Sequence, residues 1–308
     1  MHAASNQTES AALRTLLRSL GQIVLQPNAF TGACLVAAWL VCDPRLACAA
    51  LIGAVAANIG AVLAGYSEAE TRDGLHGFNG ALAGLAAFAF IADDVTAGAV
   101  AILAGTATAW GLEPWSRWLR TRGLSVYSSP YLIVTWLWLP LMKHDAAALA
   151  TAHPATFFCI PDGLLAGIAQ TGFASGAVAG MLVLAGLAAS SWRLAAWAVA
   201  GASVTSAALL LLGASPVSFD AGLLGFNGAL TALALADTGW IALLGGIVLV
   251  VVLQQAAGHY GLPVMTAPFV AATWSVQTLT RRCHGKRAAT ARGPALLRRP
   301  PRSVTRTG

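Results

Sequence analysis

A glycine-punctuated apolar segment occurs twice in this chain. Residues 74–84 read GLHGFNGALAG, and residues 222–232 read GLLGFNGALTA, 148 positions later in a chain of 308 residues. Repetition of a helix-length segment at about half the chain length is typical of an internally duplicated protein. We therefore expect the chain to fold as two copies of one structural unit.

Other residues recur with the same spacing. Three pairs are 148 positions apart: Gln22 with Gln170, Gly32 with Gly180, and Arg45 with Arg193. Towards the C-terminus the spacing falls to 138, where SPYLIVT (129–135) corresponds to APFVAAT (267–273). The first copy thus carries about ten extra residues before its last segment. We assign the first repeat to residues 10–150 and the second to residues 158–280.

Composition indicates that both copies lie in a lipid bilayer. The chain is 57% hydrophobic and 10% charged, whereas soluble domains are about 25% charged. Apolar stretches near or above the roughly 18 residues needed to cross a bilayer recur along it. They are continuous runs of Ala, Leu, Val and Gly rather than the alternating ten-residue segments of a membrane β-barrel. The predicted fold class is an all-α integral membrane protein.

The pattern predicts ten membrane spans and two re-entrant half-helices. The first repeat has a half-helix at 10–26, which is too short and polar to cross, and spans at 29–42, 46–65, 74–91, 95–112 and 130–142. The second repeat has a half-helix at 163–173 and spans at 174–190, 194–213, 222–236, 239–257 and 264–280. Because five crossings is an odd number, the second repeat is predicted to be inverted relative to the first. Inverted repeats place a solute path near the membrane midplane.

Basic residues are distributed unequally across the predicted loops. With the N-terminus in the cytoplasm, sixteen Lys and Arg residues fall inside and only Arg45 and Lys143 fall outside, as the positive-inside rule requires. Nine of the sixteen lie in residues 281–308, which contain no acidic residue. We expect this tail to be disordered and cytoplasmic, acting as a topology anchor rather than binding nucleic acid. The predicted location is the plasma (inner) membrane, with both termini in the cytoplasm.

Polar side chains recur in pairs within otherwise apolar segments. The pairs are Asn79 with Asn227, Gln22 with Gln170, and Thr135 with Thr273, and Phe78 and Phe226 precede the two asparagines. An amide in an apolar helix costs free energy unless it has a partner. The glycines of the same motifs could serve helix packing alone. Paired polar groups without a matching pair of charges favour instead a path for a small neutral polar solute.

At these motifs the sequence resembles the urea transporter family. The resemblance is carried by GLHGFNG, by GLLGFNG, by GQIVLQPN (21–28) and by LPVMTAPF (262–269), and it extends over about residues 14–280. The first copy keeps only part of the last motif, with Ser125 in place of proline and Ser128 in place of threonine.

The resemblance implies a passive urea channel, with one narrow pore enclosed between two inverted halves and three subunits in a homotrimer. Aromatic slots would lie at the two ends of the pore, with an oxygen ladder between them. The residues implied are the slot side chains Phe78, Leu82, Phe226 and Leu230, with Phe173 in the second copy and Leu25 in the first; the polar residues Gln22, Asn79, Gln170 and Asn227; and the central hydroxyls of Thr135 and Thr273. Urea is the implied permeant, and no cofactor or metal is implied.

Three alternatives remain open at this stage. A channel for another neutral solute, such as a short amide or ammonia, would have the same overall plan. An ion-coupled secondary transporter usually needs an ionisable group at the midplane, for which Asp220 is the one candidate. An intramembrane enzyme would need a cluster of catalytic residues within the spans, and the sequence offers none, with five cysteines scattered without metal-binding spacing. We expect the protein not to be an enzyme.

Overall fold

The computed structural model describes residues 2–142, 159–261 and 263–291, and the regular elements within these ranges are all helical. In the first part of the chain they are α1 (His2–Gly21), α2 (Ala29–Cys42), α3 (Pro44–Leu63), α4 (Glu68–Arg72), α5 (Gly77–Phe90), α6 (Asp94–Thr121) and α7 (Ser129–Trp138). In the second part they are α8 (Ile160–Ala169), α9 (Ala177–Ser190), α10 (Trp192–Leu211), α11 (Pro216–Asp220), α12 (Phe226–Leu235), α13 (Trp240–His259) and α14 (Ala267–Ala291). The predicted all-α fold is confirmed.

The two parts of the chain repeat the same order of elements. Helices α2 and α9 both have 14 residues, and α3 and α10 both have 20. Non-glycine residues with left-handed backbone recur at matched positions, with φ of 61° at Leu25 and 62° at Phe173, and φ of 48° at Tyr127 and 42° at Met265. Because such residues are uncommon, their recurrence indicates that the backbone follows the same local path in both parts.

Both predicted half-helices end in a sharp bend. After α1, a 3-10 turn at Gln22–Val24 leads into left-handed Leu25, and after α8 a 3-10 turn at Gln170–Gly172 leads into left-handed Phe173. The chain bends by 77° into α2 and by 66° into α9. The first of these helices begins earlier than predicted, at His2.

Four of the described helices are long and apolar enough to cross a membrane alone, namely α3, α6, α10 and α13. The count becomes six if each bent pair is one span. The remaining predicted spans correspond to α5, α7, α12 and α14, of which the first three have only 14, 10 and 10 helical residues. Ten crossings therefore stay a prediction.

Helix α6 extends beyond its predicted end at residue 112. It continues through Pro114 to Thr121, although a proline inside a helix removes the hydrogen bond to the carbonyl four residues earlier. That carbonyl belongs to Trp110, and it accepts a hydrogen bond from the Tyr66 hydroxyl at 3.1 Å instead. A tertiary contact thus replaces the missing backbone bond.

Helix α14 also runs further than predicted. It ends at Ala291, so the first residues of the tail predicted to be disordered are helical. Lys143, Leu262 and the rest of the tail, from residue 292, lie outside the described residues.

The starts of α7 and α14 lie at the same level of the protein. The hydroxyls of Ser128 and Thr266, which directly precede these helices, are 2.8 Å apart and buried. The prediction placed Ser128, just before span 130–142, at the inner face and Thr266, near the start of span 264–280, at the outer face. Two atoms in contact cannot lie on opposite sides of a hydrocarbon core about 30 Å thick. The structure therefore corrects this point, because both helices begin inside the protein.

Candidate functional site

The asparagines of the two glycine motifs join the starts of α7 and α14. Asn79 donates from Nδ2 to the carbonyl of Tyr127 at 3.3 Å and accepts at Oδ1 from the N–H of Tyr131 at 3.2 Å. Asn227 makes the corresponding bonds, donating to the Met265 carbonyl at 3.0 Å and accepting from the Phe269 N–H at 3.3 Å. Both asparagines are fully buried. The partners that these amides need are therefore backbone groups, in the same arrangement in both copies.

These bonds complete the hydrogen bonding of a helix start in the protein interior. The first N–H groups of a helix have no partner within it. In α7, the Ser129 N–H donates to the Val126 carbonyl, Pro130 has no N–H, and the Tyr131 N–H donates to Asn79. The next N–H, that of Leu132, donates to the Ser128 carbonyl. Every early N–H of α7 is thus accounted for.

Helix α14 begins in the same way. Its Ala267 N–H donates to the Val264 carbonyl, Pro268 follows, the Phe269 N–H donates to Asn227, and the Val270 N–H donates to the Thr266 carbonyl. Only the asparagine amide comes from outside the segment. The pairing of a proline with a distant asparagine is thus what allows each helix to begin without a water-exposed end.

Two tryptophans exchange hydrogen bonds between the copies. The indole N–H of Trp136 donates to the Pro263 carbonyl at 3.4 Å, and that of Trp274 donates to the carbonyl of Ser125 at 2.7 Å. Each donor is 138 positions from the other donor, and each acceptor is 138 positions from the other acceptor. Such reciprocal contacts are what a local two-fold axis produces.

The paired threonines are buried without a hydrogen-bond partner. Thr135 on α7 and Thr273 on α14 have no exposed surface, and neither hydroxyl has a partner among the described residues. By contrast, Ser275 and Thr278, also on α14, donate back to carbonyls of their own helix at 2.8 Å, the usual behaviour of a helical hydroxyl. The two matched threonines therefore keep free donor and acceptor capacity in the interior.

Most of the predicted slot residues share one buried cluster. Phe78, Leu82 and Leu230 belong to it, and the half-buried side chains of Leu25 and Phe173 pack against it. The 3-10 turns that precede Leu25 and Phe173 also contact each other. Phe226 is buried too, but it lies outside this cluster. The structure thus brings together five of the six apolar residues.

The two glutamines lie in the 3-10 turns at the ends of the half-helices. Gln22 is half-buried and donates to the carbonyl of Asp73 at 3.5 Å, and Gln170 is half-buried as well. Asp220, the candidate for ion coupling, ends the short helix α11 and is half-buried. No group of three or more His, Cys, Asp and Glu side chains that could hold a metal occurs in the described part of the chain.

Some residues of this site were not identified from the sequence. Gln254 accepts from the second N–H of Asn227 at 3.2 Å and donates to the Leu223 carbonyl at 2.8 Å, and nothing in its local pattern marks it. Trp39 donates to the Gly172 carbonyl at 2.7 Å, beside Phe173. The reciprocal pair Trp136 and Trp274 could have been found, since both are tryptophan at the repeat spacing of 138.

An open groove of about 1050 Å³ lies away from these residues. It is formed by α1 and α3 together with the α4 region, and its walls include Leu13, Leu16, Ile59 and Val62. None of the predicted pore residues lines it. The candidate site is therefore the set of buried polar side chains that includes Asn79, Asn227, Thr135 and Thr273, and not this groove.

A bundle of apolar helices around buried polar groups is typical of a helical membrane protein. A sequence model of the family described as urea transporter matches residues 13–281. The chain belongs to the urea transporter family, and it is therefore a multi-pass membrane protein of a family that transports urea across membranes and is not enzymatic. Among curated proteins, none matches the chain.

Proposed function

We propose that this protein conducts urea passively through one pore formed between two inverted halves. The observation that carries the proposal is the pair of buried, unpartnered hydroxyls of Thr135 and Thr273. An unpartnered buried hydroxyl costs free energy, so its presence at both matched positions calls for a partner that comes and goes. Urea carries N–H donors and a carbonyl acceptor, and a hydroxyl can bind either.

The inverted relation of the halves is supported by helix packing at their contact. The Thr31 hydroxyl near the start of α2 donates to the Gly186 carbonyl near the end of α9 at 2.9 Å. Trp39 near the end of α2 bonds Gly172, just before α9 begins. The two equivalent helices are thus antiparallel, as helices related by a two-fold axis in the membrane plane are. The reciprocal bonds of Trp136 and Trp274 have the same symmetry.

The proposed path passes from apolar slots to the central hydroxyls. Phe78, Leu82, Phe226 and Leu230 supply the slot walls, with Leu25 and Phe173 at the ends of the half-helices. Flat apolar walls suit the faces of a planar solute, while polar groups replace its water. Gln22 and Gln170, at the ends of the two half-helices, are assigned to the polar lining. Contact of the permeant with the Asn79 and Asn227 amides stays a prediction.

Both termini are assigned to the cytoplasm in a plasma-membrane protein. The positive-inside distribution supports this orientation, and ion pairs support the assignment of the paired loops to a common face. On the inner face Arg18 pairs with Asp73 at 3.6 Å and Arg120 with Glu70 at 3.7 Å, and on the outer face Arg45 pairs with Asp94. Assembly as a homotrimer is proposed on the family resemblance alone.

Passive permeation predicts urea flux that needs no ion gradient. Proteoliposomes containing the purified protein should shrink and re-swell in a urea jump much faster than protein-free vesicles, as measured by stopped-flow light scattering. The rate should be the same with and without a pH or sodium gradient, because no charged pair is placed mid-span. Strict dependence on either gradient would favour an ion-coupled transporter. Faster flux of acetamide or ammonia than of urea would favour the other neutral-solute channels.

The slots predict opposite effects of two substitutions on selectivity. Leu25→Phe should raise the ratio of urea to methylurea flux, because Phe173 occupies the equivalent left-handed position in the second copy, so the backbone can carry a phenylalanine there. Phe226→Ala should lower the ratio by widening the second slot. Both ratios come from the same light-scattering assay on equal amounts of folded protein. If neither ratio changes, these side chains do not form the slots.

A further inference from the structure

We propose that Asn79 and Asn227 are positioning residues that fix the depth at which Thr135 and Thr273 face the permeant. The proposal rests on the urea path described above and concerns how that path is held in place. Each asparagine sits on one helix and bonds the start of another, 48 and 52 residues away for Asn79 and 38 and 42 residues away for Asn227. The amide thus joins two helices rather than stabilising its own.

Each amide holds a backbone turn that is intrinsically unfavourable. Tyr127 and Met265, whose carbonyls accept from the asparagines, have φ of 48° and 42°. Side-chain-bearing residues persist in such a conformation only where the surrounding structure fixes them. The asparagine supplies that fixing contact, and its Oδ1 caps the N–H that would otherwise be the unpaired donor of the helix that follows.

The capped N–H groups lie one helical turn before the hydroxyls. Tyr131 precedes Thr135 by four residues, and Phe269 precedes Thr273 by four, about 6 Å along a helix. A change in where the helix starts therefore moves the hydroxyl. We call the bonds of Asn79 to Tyr127 and Tyr131 the first clamp, and those of Asn227 to Met265 and Phe269 the second clamp. The Ser128–Thr266 contact at 2.8 Å links the two loops directly. The two clamps therefore set the relative position of the two threonines as well as their depth.

The two clamps differ in their support. Asn227 has a further partner in Gln254, whose own amide is held by the Leu223 carbonyl. At the equivalent position the first copy has Thr106, whose hydroxyl donates to the Ile102 carbonyl of its own helix at 2.9 Å. Gln254→Leu is therefore a mild variant that weakens only the second clamp and leaves the asparagine in place.

Hydrogen–deuterium exchange of the purified protein tests the clamps without reference to transport. Asn79→Ala should raise deuterium uptake in peptides covering 124–135 by more than in peptides covering 263–273, and Asn227→Ala should do the reverse. Gln254→Leu should give a smaller rise confined to 263–273. The control is Asn58→Ala, because Asn58 donates to the Ser19 hydroxyl on α1 at 3.5 Å; it should change neither window.

Selectivity then distinguishes positioning from general support of the fold. For equal amounts of folded protein, Asn79→Ala should lower urea flux several-fold, and Gln254→Leu should lower it slightly. Both variants should lower the ratio of urea to methylurea flux. Loss of folded protein alone would reduce both solutes in proportion.

Two results would overturn the proposal. One is unchanged exchange in both windows for every variant. The other is raised exchange with unchanged urea flux and selectivity per folded protein. Absence of urea flux in the parental protein would instead refute the proposed function, and the exchange data would still decide whether the clamps exist.

Discussion

Gly80→Ala should sharply reduce the amount of folded protein, whereas Gly98→Ala should not. A methyl group at Gly80 of α5 would overlap the carbonyl oxygen of Gly53 on α3 and the side chain of Ala57. Inserting atoms into a packed interior costs about 1–3 kcal/mol where side chains can move aside. Here one overlapped atom is backbone, so α3 and α5 would have to separate and the loss should reach or exceed that range.

Gly98 is a matched control because it is also a helical glycine. A methyl group there, on α6, would meet no atom within 4 Å, and replacing a helical glycine by alanine is otherwise favourable by about 0.4–1 kcal/mol. The measurement is the thermal midpoint of each purified variant and its yield as a monodisperse peak in detergent.

The second copy provides an internal replicate. Gly201 and Gly228, at the equivalent positions, would overlap each other's carbonyl oxygens in the same manner, so Gly228→Ala should behave like Gly80→Ala. Equal yields and midpoints for Gly80→Ala and Gly98→Ala would mean that α3 and α5 do not approach as closely as described.

The repeat was predictable from the sequence because it is a matter of spacing. The 148-residue interval aligned the glycine motifs, and it also aligned Leu25 with Phe173, which share a left-handed backbone. What the sequence does not encode locally is that these two residues turn the chain, since neither is a glycine. The predicted spans 74–91 and 222–236 begin too early. Gly74 and Gly222, with φ of 86° and 77°, lie in a turn, and α5 and α12 begin only after it, at Gly77 and Phe226.

The role of the asparagines was half predictable. Burial of an amide in an apolar segment correctly indicated that Asn79 and Asn227 need partners. The partners are backbone groups far along the chain, and any residue type has a backbone carbonyl and most have an N–H. No pattern of side chains could therefore identify them, although the matched Pro130 and Pro268 mark where a helix starts with one donor fewer.

The end of α6 also could not be predicted from the local sequence. Glu113 and Pro114 together signal the end of an apolar span, yet the helix continues to Thr121. The Tyr66 hydroxyl that takes the freed carbonyl comes from the loop before α4, so a contact between segments decided the outcome against the local signal.

The double variant Thr135→Val with Thr273→Val should lower urea flux strongly while leaving the protein at least as stable as the parent. Both hydroxyls are fully buried and unpartnered, so replacing them by methyl groups of similar shape removes a cost of burial rather than a bond. Stability should be unchanged or rise. A hydroxyl bonded to its own backbone would give the opposite pattern, with lower stability and unchanged flux, and a residue that served only packing would change neither quantity.

The flux should fall because a permeating urea molecule would lose a hydrogen-bond partner at each position. A net hydrogen bond contributes about 0.5–1.5 kcal/mol, which corresponds to roughly a two- to thirteen-fold change in rate for each threonine. If the two sites act independently, the reductions multiply. Each variant is measured by stopped-flow light scattering with urea, at equal protein content, beside its thermal midpoint.

The control is Thr278→Val on the same helix as Thr273. Its hydroxyl donates to the Trp274 carbonyl at 2.8 Å, so the substitution removes a bond within the helix and none with a permeant, and urea flux per folded protein should stay at the parental rate. A double variant that transports urea as fast as the parent would refute a central site built from Thr135 and Thr273. A fall in flux without a fall in stability would assign the free hydroxyls to the permeant, because no other described group occupies them.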